Sequence, residues 1–250
     1  TDVADLTSIT YYCAGSSSTT HGYTSGGYGS AYLNIINKYN FSSIANATDV
    51  GDLSGAKTGL SGQSSSTHGY VSGGYTNQNI NVIEKFTFSA DANATDVGDM
   101  TMANTNVVGQ SGNTHGYVSG GDTQPLDRID KFTFASDANS TNIGILTVGR
   151  YGSAGQSSTT HGYTSGGYGS AYLNTIDKFT FASDADATDV GDLTVGRNYV
   201  SGQTSTTHGY SAGGNANSNV IDKFTFASDA DATDVGNLTT GRHGTAGHQY

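Results

Sequence analysis

The triplet Thr-Asp/Asn-Val/Ile recurs six times, at Thr1, Thr48, Thr95, Thr141, Thr188 and Thr233, so successive copies stand 47, 47, 46, 47 and 45 residues apart. A period in the forties with several short strand-like runs per unit is the pattern of a β-propeller blade, in which each unit is a small sheet that buries its faces by stacking on its neighbours. A helical solenoid would need long amphipathic segments, and the chain has none. The expected fold is therefore all-β: a propeller of four-stranded antiparallel blades, five in number. It forms one domain over residues 1–250, from units 1–47, 48–94, 95–140, 141–187 and 188–232 and a partial unit 233–250. A chain of this length can bury one sizeable core.

Runs bounded by Gly, Ser, Asn and Asp divide one cycle into four strands. Tyr151–Ser157 is the inner strand a, His161–Gly166 strand b, Thr175–Phe181 strand c and Thr188–Val195 the outer strand d. Strand c recurs as IINKYNF, VIEKFTF, RIDKFTF, TIDKFTF and VIDKFTF. The pairs Phe86/Phe88, Phe132/Phe134, Phe179/Phe181 and Phe224/Phe226 each share a face and are expected in the core. Gly15, Gly62, Gly109, Gly155, Gly202 and Gly247 hold equivalent places on strand a, where a crowded axis favours small residues. The doublets Gly26-Gly27, Gly73-Gly74, Gly120-Gly121, Gly166-Gly167 and Gly213-Gly214 end strand b and predict positive φ. Five full sets leave a spare outer strand in residues 1–9 and a spare inner strand in 241–250. Either the N-terminal outer strand closes a five-blade ring and part of the C-terminus is extra, or the span is cut from a ring with more blades; the five-blade ring with some strand exchange between the termini is the expectation.

The segments GYTSGG, IDKFTF and DVGDLTVGR resemble the kelch repeat: a short strand ending in Gly-Gly, an aromatic on the next strand, then an apolar outer strand followed by Arg. The resemblance covers essentially the whole chain. Phe mostly replaces the family's usual Tyr, and Val or Ile stands where it usually has Trp. This glycine-rich, Trp-free version is similar to kelch-type repeats in structural proteins of marine bacteriophages. The resemblance implies a propeller on a virion or extracellular surface that meets a glycan or protein receptor and other virion or surface proteins.

With 21 acidic against 10 basic side chains, the net charge of -11 repels phosphate backbones, so nucleic acid is excluded as a partner. No apolar stretch approaches the roughly 20 residues that cross a bilayer, and TDVADLTS lacks the features of a signal peptide, so a soluble chain without membrane insertion is expected. Thr1 falls in mid-repeat without an initiator Met, which implies processing or excision from a longer polypeptide. Cys13 is the single cysteine, so no intrachain disulfide can form.

Variation among copies within one chain concentrates after Gly-Gly, in the b–c loops. These read YGSAYLN, YTNQNIN, DTQPLD, YGSAYLN and NANSN, and should emerge on one face of the disc. They supply the candidate ligand-binding residues: Tyr28, Ser30 and Tyr32; Tyr75, Asn77 and Asn79; Asp122, Gln124 and Asp127; Tyr168, Ser170 and Tyr172; Asn215 and Asn217. Tyrosine with Ser, Asn and Gly offers rigid contact area plus adaptable hydrogen bonding, which suits a sugar.

Other repeated residues read as structural. His21, His68, His115, His161 and His208 each occupy an a–b turn, and a residue repeated at an equivalent turn has a repeated structural task rather than a place in a convergent metal site. The c–d loops around Asp184, Asp186 and Asp189 lack the glycine and terminal Glu of a calcium-binding EF-hand loop and read as turns. The glycosylation-type triplets at Asn40, Asn46, Asn93, Asn139 and Asn237 follow mostly from the repeat. Arg150, Arg197, Arg242 and Lys57 are expected to anchor strand ends.

No copy breaks the repeat with a nucleophile, a carboxylate pair or a metal cluster, so no catalytic residue, metal or cofactor is expected. The expectation is a non-enzymatic recognition or structural module. One alternative is a kelch-type copper radical oxidase or other carbohydrate-active enzyme, to which Tyr12 beside Cys13 would belong; another is an intracellular interaction adaptor.

Overall fold

Twenty short strands make up all the regular structure in the computed structural model, which describes residues 4–215 and 218–247. They form five separate four-stranded antiparallel sheets, each in simple sequence order from axis to rim. Blade 1 contains β1 (Ala14–Ser17), β2 (His21–Ser25), β3 (Leu33–Asn40) and β4 (Thr48–Lys57). Blade 2 contains β5 (Ser61–Ser64), β6 (His68–Ser72), β7 (Val82–Thr87) and β8 (Thr95–Asp99). Blade 3 contains β9 (Val108–Ser111), β10 (His115–Ser119), β11 (Arg128–Thr133) and β12 (Thr141–Ile145). Blade 4 contains β13 (Ala154–Ser157), β14 (His161–Ser165), β15 (Thr175–Thr180) and β16 (Thr188–Asp192). Blade 5 contains β17 (Ser201–Thr204), β18 (His208–Ala212), β19 (Val220–Thr225) and β20 (Thr233–Asn237). This is the expected five-bladed propeller. Among the described residues, no helix is long and apolar enough to cross a membrane.

The inner strand is shorter than expected. Gly152 turns with φ 62°, so Tyr151 leaves the sheet and bridges to Tyr168 instead. The outer strand also ends early, at Asp192, because the N–H and hydroxyl of Thr194 turn to the Asp222 carboxylate of the next blade.

Two glycine expectations hold. All five Gly-Gly doublets have positive φ, from 61° to 122°. On strand a, a β-carbon on Gly62 would lie 2.0 Å from the carbonyl oxygen of Gly15, and one on Gly109 would lie 2.2 Å from that of Gly62, so inner strands touch backbone to backbone at the axis.

Side chains from adjacent blades make the core. Tyr23 of blade 1 stacks on Phe88 of blade 2 at 4.9 Å, and Tyr70, Tyr117 and Tyr163 repeat the contact with Phe134, Phe181 and Phe226. The first Phe of each pair is buried and the second is packed on the edge of the cluster. Burying such rings contributes about 1.5–3 kcal/mol each.

The anchoring cations are more deeply placed than a strand-end role requires. Arg150 pairs with Asp177 at 2.8 Å, Arg197 with Asp222 at 2.9 Å and Lys57 with Glu84 at 2.5 Å, all six side chains at least 97% buried. Each pair joins one blade to the next.

The termini complete the ring. A backbone hydrogen bond runs from Gly59 N–H to Tyr12 O, and the relation repeats from Asn106 to Gly59, Gly152 to Asn106, Tyr199 to Gly152 and Gly244 to Tyr199. Tyr12 N–H then donates to Gly244 O, closing a circle of six residues around the axis. The sixth position belongs to a sector built from the two ends of the described chain. Residues 244–247 lie innermost, with Gly247 against Gly202. Asp5 lies outermost and receives the Ala47 N–H at 2.9 Å, as Asp52 receives that of Ala94.

Candidate functional site

All five b–c loops emerge on the face that carries the six-residue ring, because the first residue of each loop is tied to the residue just before a ring member. Tyr28, Tyr75 and Tyr168 bridge to Tyr11, Thr58 and Tyr151, while the N–H groups of Asp122 and Asn215 donate to Thr105 and Asn198. The loops and the linkers that enter each inner strand thus form one surface around the axis.

Nine tyrosines run across it without interruption. From blade 2 the rings follow the order Tyr75, Tyr32, Tyr28, Tyr11, Tyr12, Tyr199, Tyr151, Tyr168 and Tyr172, with centroids 5.0–6.2 Å apart at every step. His243 stands 6.4 Å from both Tyr12 and Tyr199, over the sector built by the termini. Tilted and edge-on pairs at these distances attract each other by about 0.5–1.5 kcal/mol apiece, which holds the band rigid.

Two of these tyrosines sit in a costly backbone conformation. Among the six ring residues, Gly59, Asn106, Gly152 and Gly244 are types that tolerate the left-handed region, but Tyr12 and Tyr199 adopt φ 56° and 54°. A bulky side chain there costs on the order of 1–2 kcal/mol. The two rings meet each other at 5.0 Å.

Burial raises the pKa of the Tyr199 phenol to about 12, with Tyr12, Tyr151 and Asp122 adding to the shift; burial likewise raises those of Tyr12 and Tyr151. These phenols therefore stay protonated at neutral pH and can donate hydrogen bonds. The Asp122 carboxyl, although on an exposed residue, is shifted upward by partial desolvation from its neighbours, offset in part by a hydrogen bond from Asn106.

The predicted residues divide into three groups. Tyr28, Tyr32, Tyr75, Tyr168 and Tyr172 lie in the tyrosine band, with Ser30, Ser170 and the half-exposed Tyr172 at its solvent edge. In blades 2 and 3, Asn77, Asp122 and Gln124 are exposed, and Asn79 Nδ2 donates to Thr123 Oγ1 at 2.8 Å, joining the two loops. Asp127 stands at the foot of its loop, where its carbonyl accepts the Leu146 N–H, and Asn215 Oδ1 accepts the Asn198 N–H, so both serve the scaffold. Asn217 lies outside the described residues.

Sequence reasoning did not place Tyr11, Tyr12, Tyr151, Tyr199 and His243 on this face, having named Tyr12 only beside Cys13 and Tyr151 only as the start of strand a. The signal was present, since the ring position varies among copies as the b–c loops do: Tyr at 12 and 199, Gly or Asn elsewhere.

The other repeated residues hold the scaffold. Each of the five turn histidines places Nδ1 2.8 Å from the preceding Thr hydroxyl. Asp91, Asp137, Asp184 and Asp229 of the c–d loops pair with Lys38, Lys85, Lys131 and Lys178 of the preceding blade. Asn46, Asn93 and Asn139, with Asp186 and Asp231 in the same phase, accept a backbone N–H from the preceding outer strand at 3.0–3.1 Å. Burial pushes the Cys13 thiol up to about 11, so it is a thiol at neutral pH. Among the described residues, no group of three or more His, Cys, Asp or Glu is arranged to hold a metal ion.

The opposite face is uniform. There a cavity of about 500 Å³, lined by the Ser, Thr, Gly and Asn of the a–b turns, opens at the mouth of the axis.

In sequence, no family model matches the chain, and no curated protein does. In structure it is similar to a solved structure described as "Structure of YjhT", with a TM-score of 0.79 over 97% of this chain and 88% of that one. At 13% identity the likeness concerns the fold.

Proposed function

We propose that this propeller is a non-enzymatic recognition module that binds a carbohydrate, free or on a protein receptor, through the tyrosine face. The observation that carries this reading is the nine-ring band with two members kept in a strained backbone conformation. Strain retained at residues that variation among copies could relieve points to a use for the side chains. Flat phenol faces stack on pyranose rings, their protonated hydroxyls donate, and the neighbouring Ser and Asn side chains meet sugar hydroxyls. The net charge of -11 favours neutral over anionic sugars. What supports binding rather than catalysis is that the differences between copies supply aromatic and amide groups, not a nucleophile beside a base. The kelch-type repeat pattern and its similarity to phage structural repeats support placing the module on a virion or cell surface.

The test is a glycan array and host-cell binding with the intact chain, followed by Tyr12→Gly with Tyr199→Gly. Glycine relieves the backbone and removes the rings. Binding is expected to weaken by about tenfold or more, as for central aromatic anchors, while thermal stability holds. Unchanged binding in this variant and in Tyr32→Ala and Tyr172→Ala would place recognition elsewhere.

A further inference from the structure

The sector between blades 5 and 1 has an inner and an outer segment, and among the described residues nothing occupies the place of strands b and c between them. What belongs there can be read from the four complete interfaces, which use one set of contacts. The Tyr of strand b stacks on the second Phe of the next strand c. In blades 2, 3 and 4 the Gln of strand a donates to the carbonyl of the next strand b, as Gln156 does to Tyr210 at 2.9 Å.

Blade 5 presents the same groups to a flank that no described residue covers. Tyr210 has no Phe partner among the described residues; its ring contact there is His208 of its own strand. Among the described residues, Gln203 Nε2 reaches only Ser201 of its own strand. Arg242, the equivalent of the buried Arg150 and Arg197, is exposed and bonds through Nε to the nearby Thr240 carbonyl. Ile221 is partly exposed, whereas Ile36, Ile83, Ile129 and Ile176 are all 0% exposed. A β-carbon on Gly236 would meet nothing within 4 Å, although Gly51, Gly98, Gly144 and Gly191 each press on a carbonyl of the next blade at 2.4–2.5 Å. Blade 1 bounds the sector on the other side with Phe41 and Ile44, 48% and 81% exposed.

Charge matching specifies the missing strand further. Lys57, Arg150 and Arg197 each face a carboxylate, Glu84, Asp177 and Asp222. Where Thr10 takes the cation's place, the facing residue is neutral Asn37; where Asn104 does, Asp130 has Arg128 of its own strand at 3.8 Å. Every buried cation at this position thus faces a carboxylate of the next strand c, and Arg242 calls for an acidic residue.

We propose that the open sector is a docking site for a β-hairpin of the repeat's own b–c chemistry, supplied by a polypeptide segment outside these 250 residues. Its strand c places a carboxylate on Arg242 and a Phe-x-Phe pair on Tyr210, and its strand b accepts from Gln203. Its two edges hydrogen-bond to residues 244–247 and 4–7.

The probe is the peptide of residues 161–181, added to the intact chain and, in a second version, tethered after Tyr250 by a flexible Gly/Ser linker that raises its effective concentration to the millimolar range. Expected results are slowed amide exchange at 4–7 and 245–247, and binding weakened about tenfold or more by Arg242→Ala or by Asp177→Ala in the peptide. Partial recovery is expected when Arg242→Asp meets a peptide with Asp177→Arg. The proposal is overturned if the tethered hairpin leaves those amides unprotected or if binding ignores Arg242. It is equally overturned if the chain alone forms a dimer in sedimentation that buries the same amides.

Discussion

The interface between blades 4 and 5 and the free flank of blade 5 carry the same side chains in the same register, yet they differ in almost every measure of packing. At the first, Tyr163 and Ile176 are 3% and 0% exposed, and Arg197 on the linker that leaves blade 4 is buried against Asp222 of blade 5. At the second, Tyr210 and Ile221 are partly open and Arg242 is solvated. Residue type and strand position are constant between the two, so the neighbour makes the difference. A repeat unit in a propeller has no complete core of its own, and most of its stability resides in the contact with the next unit.

Several substitutions would break or sharpen that contrast. The largest effect is expected from Arg197→Ala, which leaves Asp222 buried without its cation and should cost about 3–5 kcal/mol in urea unfolding. Arg242→Ala at the open flank should stay within about 0.5 kcal/mol, and an equal loss at both sites would refute the neighbour argument. Phe179→Ala, in the cluster with Tyr117, should also cost about 3–5 kcal/mol, whereas Tyr210→Ala should cost no more than about 1 kcal/mol.

A smaller effect is expected at the axis. A methyl group on Gly109 would lie 2.2 Å from the Gly62 carbonyl, so Gly109→Ala should destabilise by about 1–3 kcal/mol. Gly55→Ala, on the outer strand with nothing within 4 Å, should be neutral or slightly favourable. Thermal melts of the two variants check this.

The smallest effect is that of pH. Burial, and secondarily the nearby Lys on strand c, lowers the pKa of His21, His68, His115 and His161, all on blades with a covered flank. The unfolded chain then binds protons more readily than the folded one. This contribution is complete above about pH 6.5 and is lost as pH falls through the lowered folded values. A modest fall in Tm between pH 7 and pH 5 is expected, reduced in a variant with Gln at these four positions.

The blades were legible because Gly-Gly, the Phe-x-Phe strand and the Thr-Asp-Val strand each carry a local geometric demand that repeats. The tyrosine face was half legible: variation in the b–c loops exposed Tyr28, Tyr32, Tyr75, Tyr168 and Tyr172, but Tyr12 and Tyr199 escaped because a linear reading does not bring residues 187 positions apart into one ring contact.

By itself, the order of residues determined the repeat, the strand set within it and the face on which the variable loops emerge, since these depend on contacts within one unit or between adjacent units. Tertiary structure alone decided that the two ends of the described chain meet at a sixth axial position, that Tyr12 and Tyr199 join two half-bands into one, and that no described residue covers the flank of blade 5. These features depend on the angle accumulated around the whole circle, and no single unit encodes that sum.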